Sequence, residues 1–164
     1  MKPLLDATAG NRMIWGKNKF QDINKVVFLD KETRLVIPPD IFADFRKLPF
    51  RDKCFSCVIF DPPYAARGKN PPPWYNDPTN KGKWYGFVEK KSQVINLLHK
   101  GQEEFQRVTD RLCFQWWDNY PRDMSLEQAL MFFREWEEQQ RIQRIHSSKK
   151  NRKSKTWWIT FTLS

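Results

Sequence analysis

Cys57-Val58-Ile59-Phe60, followed at once by Asp61-Pro62-Pro63-Tyr64, is the stretch on which the fold turns. A continuous apolar run of this kind suits a strand covered on both faces. The two prolines lack a backbone donor and end the ladder abruptly, leaving an acid at the strand's last position. That end of a strand is where open α/β sheets place their ligands.

Working outward, Lys25-Val26-Val27-Phe28-Leu29-Asp30 reads as a second buried strand, again closed by an acid. Leu4-Leu5-Asp6-Ala7, leading into Thr8-Ala9-Gly10, reads as a short strand feeding a turn. Leu35-Val36-Ile37 is a candidate third strand blunted by Pro38 and Pro39, and Ile41 to Arg46 is the alternative, with Asp44 at its end. Residues 65–83 form a long irregular connection centred on Pro71-Pro72-Pro73. A helix is expected within Trp84 to His99 and a short one over Gln102 to Thr109, then a strand from Arg111 to Trp117. Ser125 would cap a helix running to about Gln140 with Leu126, Leu130, Phe133 and Trp136 on its apolar face. A weak strand near Ile142–Ile145, a basic turn and Thr156 to Phe161 would close as a hairpin. Strands alternating with loops or helices predict an open α/β sheet, and 164 residues suit a single domain, 1–164.

Composition narrows the classes. Aromatics make up 15% of the chain, with 8 Trp and 13 Phe, and supply a core despite a mean hydropathy of -0.76. No run approaches the roughly 20 apolar residues that span a bilayer, and no signal peptide is visible. Three cysteines suit a reducing compartment, so a cytoplasmic location and no membrane partner are expected. Cys54 and Cys57 have C-x-x-C spacing, but with Cys113, His99 and His146 as the other candidates no coherent ligand set emerges, and no metal is expected.

Three strand ends bearing Asp30, Asp44 and Asp61, together with a turn at Gly10, could grasp a nucleoside-like cofactor. A dinucleotide suits them less, because no G-x-G-x-x-G turn is present to admit a pyrophosphate.

Asp6-Ala7-Thr8-Ala9-Gly10, Asp30, Asp44 and Asp61-Pro62-Pro63-Tyr64 together resemble the Rossmann-like S-adenosylmethionine-dependent methyltransferases that modify adenine N6 or cytosine N4. Small phage, proviral and microbial members share a stretch similar to Asp44 to Phe50. The resemblance covers residues 3 to 64, and the terminal strand more loosely. It implies a mostly parallel sheet with an antiparallel C-terminal strand and helices on both faces. It implies S-adenosylmethionine as methyl donor, S-adenosylhomocysteine as product, and no metal. By the same resemblance, Asp6, Ala7, Thr8, Ala9 and Gly10 wrap the cofactor's methionine portion. Asp30 meets its ribose hydroxyls, and Asp44 its adenine amine with Phe45 nearby. Asp61 and the Pro62 carbonyl accept from the target amine, and Tyr64 stacks on the target base. Tyr64 as a turn aromatic packed on the sheet is the plainer alternative. The family often has a second glycine where this chain has Arg12, which would either crowd the methionine portion or pair with its carboxylate.

The formal charge of +10 is concentrated: residues 141–155 carry +7 and residues 67–100 carry +5, so the remainder sums to -2. Basic segments on a near-neutral body suit a polyanion, although a solvated surface kept for solubility is the bland reading. Arg67, Lys69, Trp74, Tyr75, Lys81, Lys83 and Trp84 interleave cations with aromatics, as exposed bases and phosphates require, or else anchor the loop. Lys149, Lys150, Arg152 and Lys153 lie between two ordered elements and are the second candidate nucleic-acid segment. The expected activity is therefore methylation of a nucleic-acid base, with DNA ahead of RNA and adenine N6 ahead of cytosine N4. A catalytically silent nucleic-acid-binding protein is the rival. The domain is too small for a separate recognition module, so the 65–100 region and the basic segment would read the substrate, and a homodimer is one way to complete it.

Overall fold

The computed structural model describes residues 2–12, 14–15, 25–64, 88–118, 123–144 and 155–163. Its strands are β1 (Leu4–Asp6), β2 (Val26–Asp30), β3 (Ile41–Phe42), β4 (Cys57–Phe60), β5 (Arg111–Asp118), β6 (Trp136–Arg144) and β7 (Lys155–Leu163). Its helices are α1 (Lys91–Val108) and α2 (Leu126–Leu130). The seven described strands join one sheet in the order β3-β2-β1-β4-β5-β7-β6. Pairing is parallel from β3 through β5, and β7 runs antiparallel between β5 and β6. The order reverses between β1 and β4, the kind of switch point where doubly wound sheets open a crevice.

Alternation along the strands divides the core. Leu5, Leu29, Val58, Phe60, Leu112, Phe114, Ile159 and Phe161 share one cluster with Val94, Leu98 and Phe105 of α1 and Leu126 and Ala129 of α2. Rings run through it from Phe45 to Phe60, then Phe114, Phe133 and Phe161, with centroids 4.7–6.0 Å apart. Both described helices thus cover the same face. On the other, Trp15 packs edge-on against Phe28, beside Ala9 and Val26.

Four expectations change. Leu35–Ile37 is not a strand; Val36 and Ile37 are exposed, and their N–H groups donate to Asn11 Oδ1. The third strand is Ile41–Phe42, so Asp44 sits two residues beyond its end. The two helices expected on either side of Lys100-Gly101 are one, and Gly101 lies within it against the Phe45 ring, which a Cβ there would approach to 3.1 Å. The helix expected to reach Gln140 stops at Leu130, and Trp136–Arg144 is a strand. Phe133 and Trp136 are still buried, delivered by successive turns rather than by helical periodicity. Ser125 caps α2 as expected: its Oγ accepts from Gln128 N–H, and its own N–H donates to Gln128 Oε1. Asp123 is buried.

The segment 44–54 is fixed to α1 from several sides. Arg107 donates to the Leu48 and Phe50 carbonyls, while Glu104 accepts from Leu48 N–H. Lys53 Nζ donates to the Gln106 and Thr109 carbonyls at the helix C-terminus, where a cation is favoured.

Candidate functional site at the strand switch point

The site starts from the ends of β1 and β4, adjacent parallel strands that deliver Asp6 and Asp61 to the same edge of the sheet. Thr8 links them. Its N–H donates to Asp6 Oδ1 (3.2 Å), and its Oγ1 accepts from Asp61 N–H (2.8 Å). Asp6 is fully buried, and its Oδ2 accepts from Trp15 Nε1 (2.6 Å). Asp61 Oδ2 accepts from Gln115 Nε2 of β5 (3.0 Å), while Asp61 Oδ1 is buried and has no donor among the described residues.

Burial dominates the electrostatics. Desolvation pushes Asp6 up to about 6, although the Trp15 and Thr8 bonds favour its charge. Desolvation, and then the neighbouring Asp6, push Asp61 up to about 7, with the Gln115 bond acting in the opposite direction. The two carboxylates discourage each other's ionisation near neutral pH.

The turn after β1 is held tightly. Gly10, at φ +49°, donates its N–H to Asp30 Oδ2 (2.8 Å), and Glu32 N–H donates to Asp30 Oδ1 (2.9 Å). Each carboxylate oxygen thus carries one backbone donor and keeps further acceptor capacity. Ala7 and Ala9 are buried, with their N–H groups donating to the Ile59 and Leu29 carbonyls. The Ala7 to Gly10 amides are thus all engaged internally, and the Ala9 carbonyl accepts from Arg12 N–H.

Arg12 also lies in the left-handed region, at φ 56°, where glycine is the unstrained choice. A side chain is thus carried in a backbone conformation that favours glycine. That side chain lays its guanidinium 3.8 Å from the Phe28 ring centroid and donates to the Pro38 carbonyl (3.1 Å), with Asp40 beside it.

Asp44 forms a two-pronged pair with Arg46, and Lys31 lies nearby. The Arg46 bond is the main reason that its carboxyl is held down to about 2. An adenine amine arriving there would share those oxygens with a guanidinium. Phe45 is buried in the core between Phe60, Phe105 and Gly101. Pro62 is buried, and Tyr64 is partly exposed, with its ring edge-on to Trp116 and Trp117 at 5.9 and 5.4 Å.

The fold therefore brings Asp6, Thr8 and Asp61 together and sets Gly10 on Asp30, while Asp44 and Phe45 are held mainly by Arg46 and the core. Trp15 and Gln115, which the sequence does not single out, complete the cluster. Neither has a local signature, since each reaches the site only through strand pairing or a turn. Arg67, Lys69, Trp74, Tyr75, Lys81, Lys83, Trp84, Lys149, Lys150, Arg152 and Lys153 lie outside the described residues.

Among the described residues, no group of His, Cys, Asp and Glu is placed to hold a metal ion, and no helix is long and apolar enough to cross a membrane. Burial raises the Cys57 and Cys113 thiols to about 11 and about 12, which keeps them protonated and unreactive. The chain matches no protein-family model and no curated protein.

Proposed function

We propose that this chain transfers a methyl group from S-adenosylmethionine to the exocyclic amine of a nucleic-acid base, with DNA adenine N6 as the leading target. The observation that carries the proposal is the Asp6–Thr8–Asp61 cluster at the β1/β4 switch point, where Asp61 Oδ1 is buried without a donor among the described residues. A buried acceptor of this kind is costly unless a hydrogen is supplied by a ligand or by the acid's own proton, and a primary amine supplies one.

An amine conjugated to an aromatic ring is a poor nucleophile, because its lone pair is delocalised. Acceptors aimed at its protons, from Asp61 and the Pro62 carbonyl, draw the nitrogen toward tetrahedral geometry, and alignment supplies much of the rest. The cofactor supplies an electrophilic sulfonium methyl. Asp30, with acceptor capacity left on both oxygens, suits a pair of ribose hydroxyls. Tyr64, partly exposed beside Trp117, would stack on a base taken out of its helix. The mostly parallel sheet with an antiparallel C-terminal strand is compatible with this reading.

The test is transfer of labelled methyl to duplex DNA, single-stranded DNA and total RNA, followed by nucleoside analysis, with Asp61→Ala alongside. N6-methyladenine or N4-methylcytosine should appear in one polymer and fall by about a hundredfold or more in the variant. No product and no cofactor binding by the folded protein would leave a nucleic-acid-binding protein without catalysis.

A further inference from the structure

Gln115 occupies the middle of β5, and its amide reaches the carboxylate that follows the end of the neighbouring strand, β4. The Nε2 donor takes Asp61 Oδ2 at 3.0 Å and leaves two oxygens over. Asp61 Oδ1 and Gln115 Oε1 are both buried, and neither has a donor among the described residues. Two unsatisfied acceptors joined by one hydrogen bond are an expensive arrangement in a protein interior, and a donor group would ordinarily be found there.

Resting on the amine-transfer reading, we infer that Gln115 is the positioning residue of the site: it pins Oδ2 so that Oδ1 is the carboxylate oxygen left for a ligand amine, and its Oε1 is a further acceptor. An –NH₂ group brings one N–H to Asp61 Oδ1 and has a second to divide between the Pro62 carbonyl and Gln115 Oε1. A ring oxo group carries none and would set its oxygen against theirs. The pairing therefore favours adenine over hypoxanthine and cytosine over uracil.

Gln115 also acts on charge. Its N–H stabilises the ionised form of Asp61 against burial and against Asp6, the charged group that faces it from β1. Arg12 and Asp30 act one step back, through Asp6. The rival donor for the two oxygens is a proton on Asp61 itself, which would close an acid–amide ring with Gln115 and stabilise the neutral form. The two arrangements predict opposite signs.

The experiment is a carboxyl-carbon NMR titration of Asp61 in the wild type and in Gln115→Met, which keeps the side chain's length. Asp61→Asn assigns the resonance. The midpoint of Asp61 should rise by about one pH unit, a tenfold change in its ionisation constant. The acidic limb of the kcat/KM profile should move with it, with cofactor affinity unchanged. A midpoint that is unchanged or lowered overturns the inference, the lowered value pointing to the acid–amide ring. The wild-type Gln115 side-chain amide resonance gives the same decision even if the variant does not fold. It should shift upfield as Asp61 takes up its proton, and a fixed or downfield-moving resonance refutes the positioning role. Wild-type protein that methylates no nucleic acid would remove the proposed activity, while the titration would still decide the Gln115–Asp61 pairing.

Discussion

At the scale of single residues, Asp6 and Asp61 are carboxylates in a place that resists charge. Their raised values, about 6 and about 7 against an ordinary 3.8, mean that the folded protein holds protons that the unfolded chain has released. Stability from these two groups is fully present below about pH 4 and is lost as pH rises through 6 and 7. Asp61→Asn removes that penalty. The variant should already be more stable than the wild type at pH 5, and the gap should widen by on the order of a further 1–3 kcal/mol at pH 8, read by thermal denaturation. Methyl transfer should be lost at both values, so the gain in stability would come with loss of function. Tyr64→Ala should lower turnover more than cofactor affinity, because the proposed role of the ring, set edge-on to Trp116 and Trp117, is to hold the target base. Equal loss of both by a folded variant would contradict the stacking role. Asp61 was legible in the sequence because prolines mark the strand end. Gln115 was not, because one polar residue inside an apolar strand looks the same whether it faces solvent or a buried acid.

At the scale of elements, what could be read depended on whether a segment's structure is encoded locally. The Ser125 cap is a local bond, and its residues announce it. The continuity of α1 is not local: Gly101 interrupts the helix in sequence, yet it lies against a ring arriving from residue 45 that leaves little room for a Cβ. Gly101→Ala tests this. Helix propensity alone would favour the variant by about 1 kcal/mol. The new methyl would press on Phe45, which is held between Phe60 and Phe105, and overpacking costs about 1–3 kcal/mol. A net destabilisation of about 1 kcal/mol is expected in chemical denaturation, and a stabilised variant would show that Phe45 can yield. The strand character of β6 was hidden for a similar reason. Apart from Trp136 its residues are exposed, so no apolar alternation marks it, and its ladder with β7 defines it instead.

At the scale of the whole molecule, charge and chemistry are separated along the chain. The acids of the candidate site lie at the ends of the N-terminal parallel strands, whereas the densest basic run lies between Arg144 and Lys155, the near ends of β6 and β7. Changing Lys149, Lys150, Arg152 and Lys153 to Gln should weaken nucleic-acid binding and flatten its dependence on salt, by about 0.9 in the logarithmic slope for each duplex phosphate that is no longer neutralised. A slope that does not change would return the segment to an ordinary solvated surface. The parallel half of the sheet was readable because buried strands ending in acids stand out from their surroundings. The arrangement of the antiparallel half was not, since a hairpin in sequence does not say which of its strands will lie against β5.

The insertion of β7 between β5 and β6 sets a timetable for the nascent chain. β6 leaves the ribosome first, yet its neighbour in the sheet is β7. Completing β7 requires a further nineteen residues, through Leu163, which at cellular rates of elongation is roughly one to four seconds of translation. During that interval β5 presents a bare edge and β6 waits unpaired. Its Glu, Gln and Arg side chains are what keep so long a strand from annealing to another chain in the meantime.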